Sequence, residues 1–168
     1  MIIRGETPLD RPAIRSVVTA AFMDAPHSGG NEAAIVDGLR NAGSLAVSLV
    51  AEEEGKVVGH VAFSPVAVDG QDIDWYGLGP VAVLVDRRGR GIAEALINAG
   101  LERIKKLGAR GCVVLGDPAY YGRFGFKSDP NLHFANVPMQ YFQRLVIGGQ
   151  PPRGMVDYHP AFFSGPGN

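Results

Sequence analysis

The sequence predicts an α/β (α+β) fold: a mixed, mostly antiparallel central sheet, splayed at its fourth and fifth strands and flanked by helices on both sides. Three observations carry this. Apolar runs in the first half are joined by Glu52-Glu-Glu-Gly55 and Asp69-Gly70, turn signals that build an antiparallel meander. A strand, a long amphipathic helix and a second strand then follow between Val81 and Leu115. That βαβ unit makes its two strands parallel, or splayed from a common origin. Finally, Gly77-Leu-Gly-Pro80 interrupts the first of them, and glycine and proline inside a strand predict a bulge or splay.

The elements read in order as follows. Ile2-Ile-Arg4 is a short strand. Thr7-Pro-Leu-Asp10 starts a helix, with Thr7 as cap, Pro8 at the first position and Asp10 in the first turn. Leu9, Ala13, Ile14, Val17, Val18, Ala21 and Phe22 mark its apolar face at spacings of three and four. Pro26-His-Ser-Gly-Gly30 breaks the chain. A second helix runs from Asn31 to Ala42 with Ile35, Val36 and Leu39 inward, and Gly43 stops it. Leu45 to Val50, Lys56 to Val68 and Asp72 to Val85 are strands. Gly89 to Leu107 is the main helix, with Ile92, Leu96, Ile97, Leu101, Ile104 and Leu107 toward the core and Glu102 and Lys106 as an exposed pair. Cys112 to Leu115 is the fifth strand, Pro118 to Phe124 a short helix or turn, and Phe142 to Ile147 and Gly154 to Tyr158 hold further strands.

A chain of 168 residues fits one domain, residues 1–168, with a proper core. The formal charge of −1 favours neither nucleic acid nor an anionic membrane. One cysteine, Cys112, excludes an intrachain disulfide and suits a reducing, cytoplasmic setting; within an apolar run it reads as a buried strand residue. Met1-Ile-Ile leads at once into Arg4-Gly-Glu, so no signal peptide is expected, and no apolar run approaches the ~20 residues of a membrane span. No repeat occurs, and Gly165-Pro-Gly-Asn168 is the nearest thing to a tail.

The chemistry concentrates in Val81-Ala-Val-Leu-Val-Asp-Arg-Arg-Gly-Arg-Gly-Ile-Ala93. An apolar strand enters a basic, glycine-rich turn that opens into a helix. Exposed N–H groups and the helix dipole then point at one spot, which suits an anion. Gly89 and Gly91 let the backbone approach it, and Arg87, Arg88 and Arg90 add charge suited to phosphate. A pyrophosphate-bearing ligand follows. A dinucleotide fold fits poorly: Glu94 fills the third glycine slot of G-x-G-x-x-G, and hairpins precede the motif. No lysine-serine or lysine-threonine follows the glycines, which excludes a P-loop.

Arg88-Gly-Arg-Gly-Ile-Ala93 resembles the Q/R-x-x-G-x-G/A signature of the GNAT superfamily of N-acetyltransferases. Val81-Ala-Val83 is similar to the fourth-strand segment that pairs with pantetheine in that family, and Tyr121-Gly-Arg-Phe-Gly-Phe126 to its Y-x-x-x-G-F segment. Gly77 to Val83, Val114 to Phe126 and Tyr158-His-Pro-Ala-Phe162 resemble more closely the YhbS-like bacterial acetyltransferases. The resemblance spans nearly the whole chain. It implies acetyl-CoA as co-substrate, held by Val81, Ala82, Val83, Arg88, Gly89, Arg90, Gly91, Ile92, Ala93 and Glu94. It also implies direct attack by an amine in a ternary complex, with a small-molecule or peptide amine as acceptor.

The same resemblance assigns a backbone N–H near Val83 to the oxyanion and Tyr121 to the leaving thiolate; a phenol of pKa ~10 can donate to a thiolate of pKa ~8.5. Tyr121 packing beneath the cofactor is the alternative, and Tyr120 reads as packing. Several histone-type members carry a fourth-strand glutamate; an ungapped count puts its slot at Gly77, so the base is missing. A lysine-type amine must shed its proton at roughly 4–5 kcal/mol at pH 7, an α-amine at ~1–1.5 kcal/mol, which tilts toward a low-pKa amine or a water relay. Glu32, Asp74, Asp117 and His159 are candidate relays, each with an ordinary structural alternative. His27, His60 and His133 are scattered without ligand spacing, so no metal is expected. No G-x-S-x-G elbow occurs. Phe63, Trp75 and Tyr76 lie in strands flanking the cleft; they read as core residues, with contact to an apolar or aromatic acceptor as the alternative. Three rivals stay open: a non-catalytic acyl-CoA sensor, a transferase of a longer acyl group, and a subunit dependent on a partner, with Phe134 to Phe163 as a homodimer surface.

Overall fold

A computed structural model describes the chain except Asp24, Pro26, His27 and residues 164–168. Part of the predicted break at Pro26-His27 and the Gly165–Asn168 tail therefore lie outside the described residues. The elements are β1 (Ile2–Gly5), α1 (Arg11–Phe22), α2 (Glu32–Asn41), β2 (Val47–Glu53), β3 (Lys56–Val68), β4 (Gln71–Val83), α3 (Ile92–Lys106), β5 (Gly111–Leu115), α4 (Pro118–Tyr121), β6 (Leu132–His133), β7 (Phe142–Val146) and β8 (Gly154–Asp157). The sheet runs β1-β2-β3-β4-β5-β7, and β8 joins the end of β3 while pairing with β6. The β4–β5 and β6–β8 pairs are parallel; the other strand pairs are antiparallel.

The meander follows from its turns. Asp69 and Gly70 both take left-handed φ, 50° and 78°, as a two-residue hairpin of this hand needs. Alternation then sorts the side chains. Val47, Leu49 and Ala51 of β2 join Val61 and Phe63 of β3 against Leu96, Ile97 and Ile104 of α3. Val50 and Ala82 face the other way, onto Ile14, Val17, Val18 and Ala21 of α1 and Val36 of α2. Cys112 is fully buried on β5, and burial pushes its thiol well above its ordinary pKa.

Several expectations are corrected. Leu9 is 91% exposed because it sits in a 3-10 turn, Pro8–Asp10, ahead of α1 and out of phase with its apolar face. There Thr7 donates both its N–H, at 2.7 Å, and its hydroxyl, at 3.2 Å, to the Asp10 carboxylate, which Arg4 clamps from the other side at 2.7 and 3.0 Å. Leu107 is 55% exposed, since α3 ends one residue earlier and its phase no longer points at the sheet. Glu102 pairs with Lys105 at 3.0 Å rather than with Lys106, the i,i+3 neighbour being equally near on a helix surface. The second strand is shifted to Val47–Glu53, which confines the following turn to Glu54 and Gly55. The main helix begins at Ile92 instead of Gly89, because Gly89 and Gly91 hold left-handed φ of 77° and 78°.

Candidate active site

The parallel β4–β5 pairing is short: Trp75↔Gly111, Tyr76↔Cys112 and Gly77↔Val113. Beyond Gly77 the two strands part, and β4 continues to Val83 with β3 alone as its ladder partner. A bulge lies where they separate. Two residues, Gly79 and Pro80, lie between Leu78 and Val81 opposite the single Ala62 between Val61 and Phe63. The predicted splay is thus present, at the predicted glycines and proline.

Past the bulge, the ladder phase decides which backbone groups face the open edge. Leu84 donates its N–H to the Val58 carbonyl at 3.0 Å, and Ala82 pairs with His60 one alternation earlier. Val81 and Val83, between them in phase, turn their N–H and C=O groups away from β3 and into the splay. The Val83 carbonyl there accepts from Arg88 Nε at 3.3 Å. Ala82, expected alongside them, faces β3 with its backbone and α1 with its side chain.

At the C-terminal end of β4 the glycine turn encloses a cavity of about 300 Å³, with Gly89, Gly91, Ile92, Ala93 and Glu94 on its rim. A Cβ built on Gly89 or Gly91 meets nothing within 4 Å, so the space above the turn is open. The first intrahelical bond of α3 comes from Ala95 to Gly91, which leaves the N–H groups of Ile92, Ala93 and Glu94 without intrahelical partners. The arginines divide their roles. Arg88 lines the cavity but holds the backbone, donating to Val83 and, at 3.0 Å, to the Ala21 carbonyl of α1. Arg87 also borders it, but its guanidinium contacts Asp86 at 2.9 Å and Glu53 at 3.3 Å. Arg90 is exposed and off the rim.

The facing wall comes from Tyr120 and Arg123, which sequence reasoning did not place at the turn. Arg123 lies 4.4 Å over the Tyr120 ring, donates to the Tyr120 carbonyl at 3.1 Å, and stands 3.7 Å from the Glu94 carboxylate. The signal was present inside Tyr121-Gly-Arg-Phe-Gly-Phe126, where the arginine is the sole cation. Its destination depends on how α4 folds back over α3, which no local pattern states.

A second cavity, of about 410 Å³, opens on the same strand at Leu78, Pro80 and Val81. Tyr121 lines it, half-buried, with its ring edge-on to Tyr120 at 5.1 Å and to Phe126 at 6.1 Å. Burial pushes the Tyr121 phenol up to about 12, so it is protonated at neutral pH. Of the four candidate relays, Glu32 alone shares this cavity. Its carboxylate accepts from Ser28 Oγ at 2.7 Å and the Gly29 N–H at 3.2 Å. Asp117 caps α4 by accepting the Ala119 N–H at 2.9 Å, and His159 Nδ1 accepts the Ala161 N–H at 3.0 Å. Asp74 sits exposed in a left-handed turn conformation with φ of 62°.

The aromatic wall is built from residues other than Phe63, Trp75 and Tyr76, whose core reading holds. Phe63 and Trp75 are core, at 0% and 2% exposure, and half-buried Tyr76 packs against that core. Phe22, Phe134, Tyr158 and Phe162 line the cavity in their place. Thus much of the aromatic content of residues 134–163 packs inward, while Tyr141 is exposed and Phe163, also exposed, borders the cavity mouth. At Gly77, the slot with no carboxylate, the Tyr158 ring occupies the space: an added Cβ would stand 2.6 Å from its Cε1.

A larger cavity, about 460 Å³, lies at the β1–β2 edge around the Glu6–Arg40 ion pair. No residue of the turn or the splay lines it, so size does not identify the site here. His60 is buried behind that pair, bonded through Ser48 Oγ at 2.8 Å. Among the described residues no group of His, Cys, Asp and Glu could hold a metal ion, and no helix is long and apolar enough to cross a membrane.

The chain was compared with known proteins. The family model for the acetyltransferase (GNAT) domain matches residues 3–128. The N-acetyltransferase YhbS of Escherichia coli K12 is 45% identical over 129 residues, covering 76% of this chain and 74% of its own length. A GNAT family acetyltransferase from Brucella melitensis, solved in complex with acetyl-CoA, has 50% identity and a TM-score of 0.87, covering 96% of this chain and 97% of that one. The Escherichia coli YhbS structure in complex with CoA gives a TM-score of 0.88 at 36% identity, covering 97% and 92%.

Proposed function

This chain belongs to the GNAT acetyltransferase family, and from that premise we propose that it acts as one domain that transfers the acetyl group of acetyl-CoA to a primary amine by direct attack in a ternary complex. One observation carries the reading: the anion-type cavity at the glycine turn and the cavity holding Tyr121 adjoin the same unpaired edge of β4, through Val83 and Val81 respectively. A ligand with a pyrophosphate at one end and a reactive group at the other fits along that edge.

The residues suit acetyl-CoA. The N–H groups at the start of α3, the open space over Gly89 and Gly91 and the Arg123 guanidinium converge where a pyrophosphate would lie. Acetyl-CoA brings a thioester carbonyl open to attack and a thiolate as leaving group. The outward N–H and C=O groups of Val81 and Val83 hold the pantetheine arm as an added strand would be held. A Val81 or Val83 N–H also faces the negative charge that grows on the acyl oxygen. Tyr121 donates its hydroxyl hydrogen to the departing sulfur. Its raised pKa does not disqualify it, because the same apolar surroundings destabilise a thiolate as well. Glu32 attracts the cationic amine and accepts a proton from it, directly or through a water relay, as the amine becomes nucleophilic. The single buried cysteine is compatible with a cytoplasmic setting.

Calorimetry of acetyl-CoA, CoA and NADH against wild type and Gly91→Trp tests this reading. Acetyl-CoA is expected to bind the wild type and not the variant, and thiol release with an amine library follows. A folded wild type that binds no acetyl-CoA refutes the acetyltransferase reading, and NADH binding in its place would assign the glycine turn to a dinucleotide ligand on this fold.

A further inference from the structure

We infer that the acceptor is a small primary amine carried on an apolar, ring-sized body, of the arylalkylamine class. The inference rests on the acetyltransferase reading above and concerns the cavity beside Tyr121.

The wall of that cavity is aromatic and held in place. Tyr158 stands edge-on to Phe134 at 4.9 Å and lies 5.0 Å from Phe162. Gly77 offers no side chain, so the Tyr158 ring lies directly on β4 beside the splay. Phe22, at the end of α1, borders the cavity as well. Such a surface takes up a flat apolar group in the orientations that aromatic pairs favour, with little ordering left to do on binding.

The charge pattern is equally restrictive. Glu32 is the one ionisable carboxylate among the described residues lining the cavity, and no Lys or Arg accompanies it. One ammonium is matched. A polyamine or an aminosugar would bring further charges and hydroxyls to a wall mainly of Phe, Leu, Ile, Val and Pro, where, beyond Glu32, the tyrosine hydroxyls and the Val81 backbone offer few partners and unpaired groups carry a cost. Glu32 and Tyr121 line one cavity, so an amine held by Glu32 shares it with the residue that serves the leaving sulfur. A volume of about 410 Å³ is that of a small-molecule site.

The test measures thiol release at saturating acetyl-CoA with 2-phenylethylamine, tryptamine, spermidine and a lysine-containing tripeptide. It uses wild type, Phe162→Ala and Glu32→Gln, and reads acetyl-CoA binding in the same preparations to report folding. The ring amines are expected to exceed spermidine and the tripeptide in kcat/KM by about tenfold or more. Phe162→Ala is expected to raise the KM for 2-phenylethylamine by about tenfold, the scale of losing partial burial of a phenyl ring. Glu32→Gln is expected to raise the KM of every amine and to lower its kcat. Preference for spermidine or the tripeptide overturns the inference, as does an unmoved KM in a Phe162→Ala variant that still binds acetyl-CoA. A wild type that binds acetyl-CoA yet turns over no ring amine overturns the inference and leaves the transferase reading standing. One that binds no acetyl-CoA removes both.

Discussion

Replacing Gly77 by alanine places one methyl group against the Tyr158 ring. The new Cβ would lie 2.6 Å from Cε1, 3.1 Å from Cδ1 and 3.1 Å from Val66 Cγ1. Carbon atoms in contact prefer about 3.5–4.0 Å, so the ring must retreat by roughly 1 Å. It has little room to do so, being 9% exposed and held between Phe134 and Phe162. The backbone cannot yield either, since Gly77 pairs with Ser64 of β3 on one side and Val113 of β5 on the other. Overpacking of this kind costs about 1–3 kcal/mol. The removal of a flexible glycine from a strand offsets about 0.5–1 kcal/mol of that. A net loss of about 1–2 kcal/mol lowers Tm by roughly 2–8 °C in a chain of this length. Thermal and urea unfolding of Gly77→Ala measure it. In a Tyr158→Ala background the obstructing ring is gone, so Gly77→Ala is expected to become neutral or stabilising. Equal effects in the two backgrounds, or a Gly77→Ala protein melting within about 1 °C of wild type, would refute the reasoning, because the packing term would then be absent.

Two further outcomes are expected. Tyr121→Phe removes the hydroxyl and keeps the ring, so kcat should fall about a hundredfold or more while acetyl-CoA affinity by calorimetry holds; an undiminished kcat would assign Tyr121 to packing. His60 has its pKa lowered to about 4, chiefly by burial and further by the Arg40 charge, against the opposing pull of Glu6. Its folded pKa lies below the unfolded value of about 6.5, so the unfolded chain binds more protons between these pH values. The stability is complete above about pH 6.5 and drains away as pH falls toward 4, by roughly 2–3 kcal/mol at pH 4.5. Urea unfolding of wild type and His60→Gln should show their gap closing from pH 7 to pH 4.5; a constant gap would contradict it.

What could be read in advance was whatever local chemistry decides. The Asp69-Gly70 hairpin, the break at Gly77 to Pro80 and the glycine turn each depend on backbone conformations that few residues adopt, so they show in the sequence. The acceptor side did not show. Phe134, Tyr158 and Phe162 reach the cavity because the C-terminal segment crosses back to the end of β3, a long-range placement without periodicity. Phe63 and Trp75 lie in the strands that flank the cleft, and the sequence leaves open whether they serve the core or an acceptor, with the core favoured. In a strand the face decides, and theirs is the core. The arginines illustrate the same limit. Their charge was legible, but Arg88 turns its guanidinium to two carbonyls while Arg123, from another element, faces the turn.

The two ends of the site hang from the sheet very differently. The cofactor end is built on β4, paired along β3 from Gly59 to Val68. On the acceptor side, Tyr158 follows β8, which joins β3 through two register pairs, Ala67↔Asp157 and Val68↔Val156, and through the Asp69–Met155 bonds beside them. A segment with so few ladder bonds to β3 is expected to open at a lower free energy than the sheet, with its amides exchanging before those of β3 and β4. Substitutions there reach the small free energy of that opening sooner than the global stability. If the chain is the acetyltransferase proposed above, selection can revise which amine the acceptor wall admits while the cofactor end stays folded.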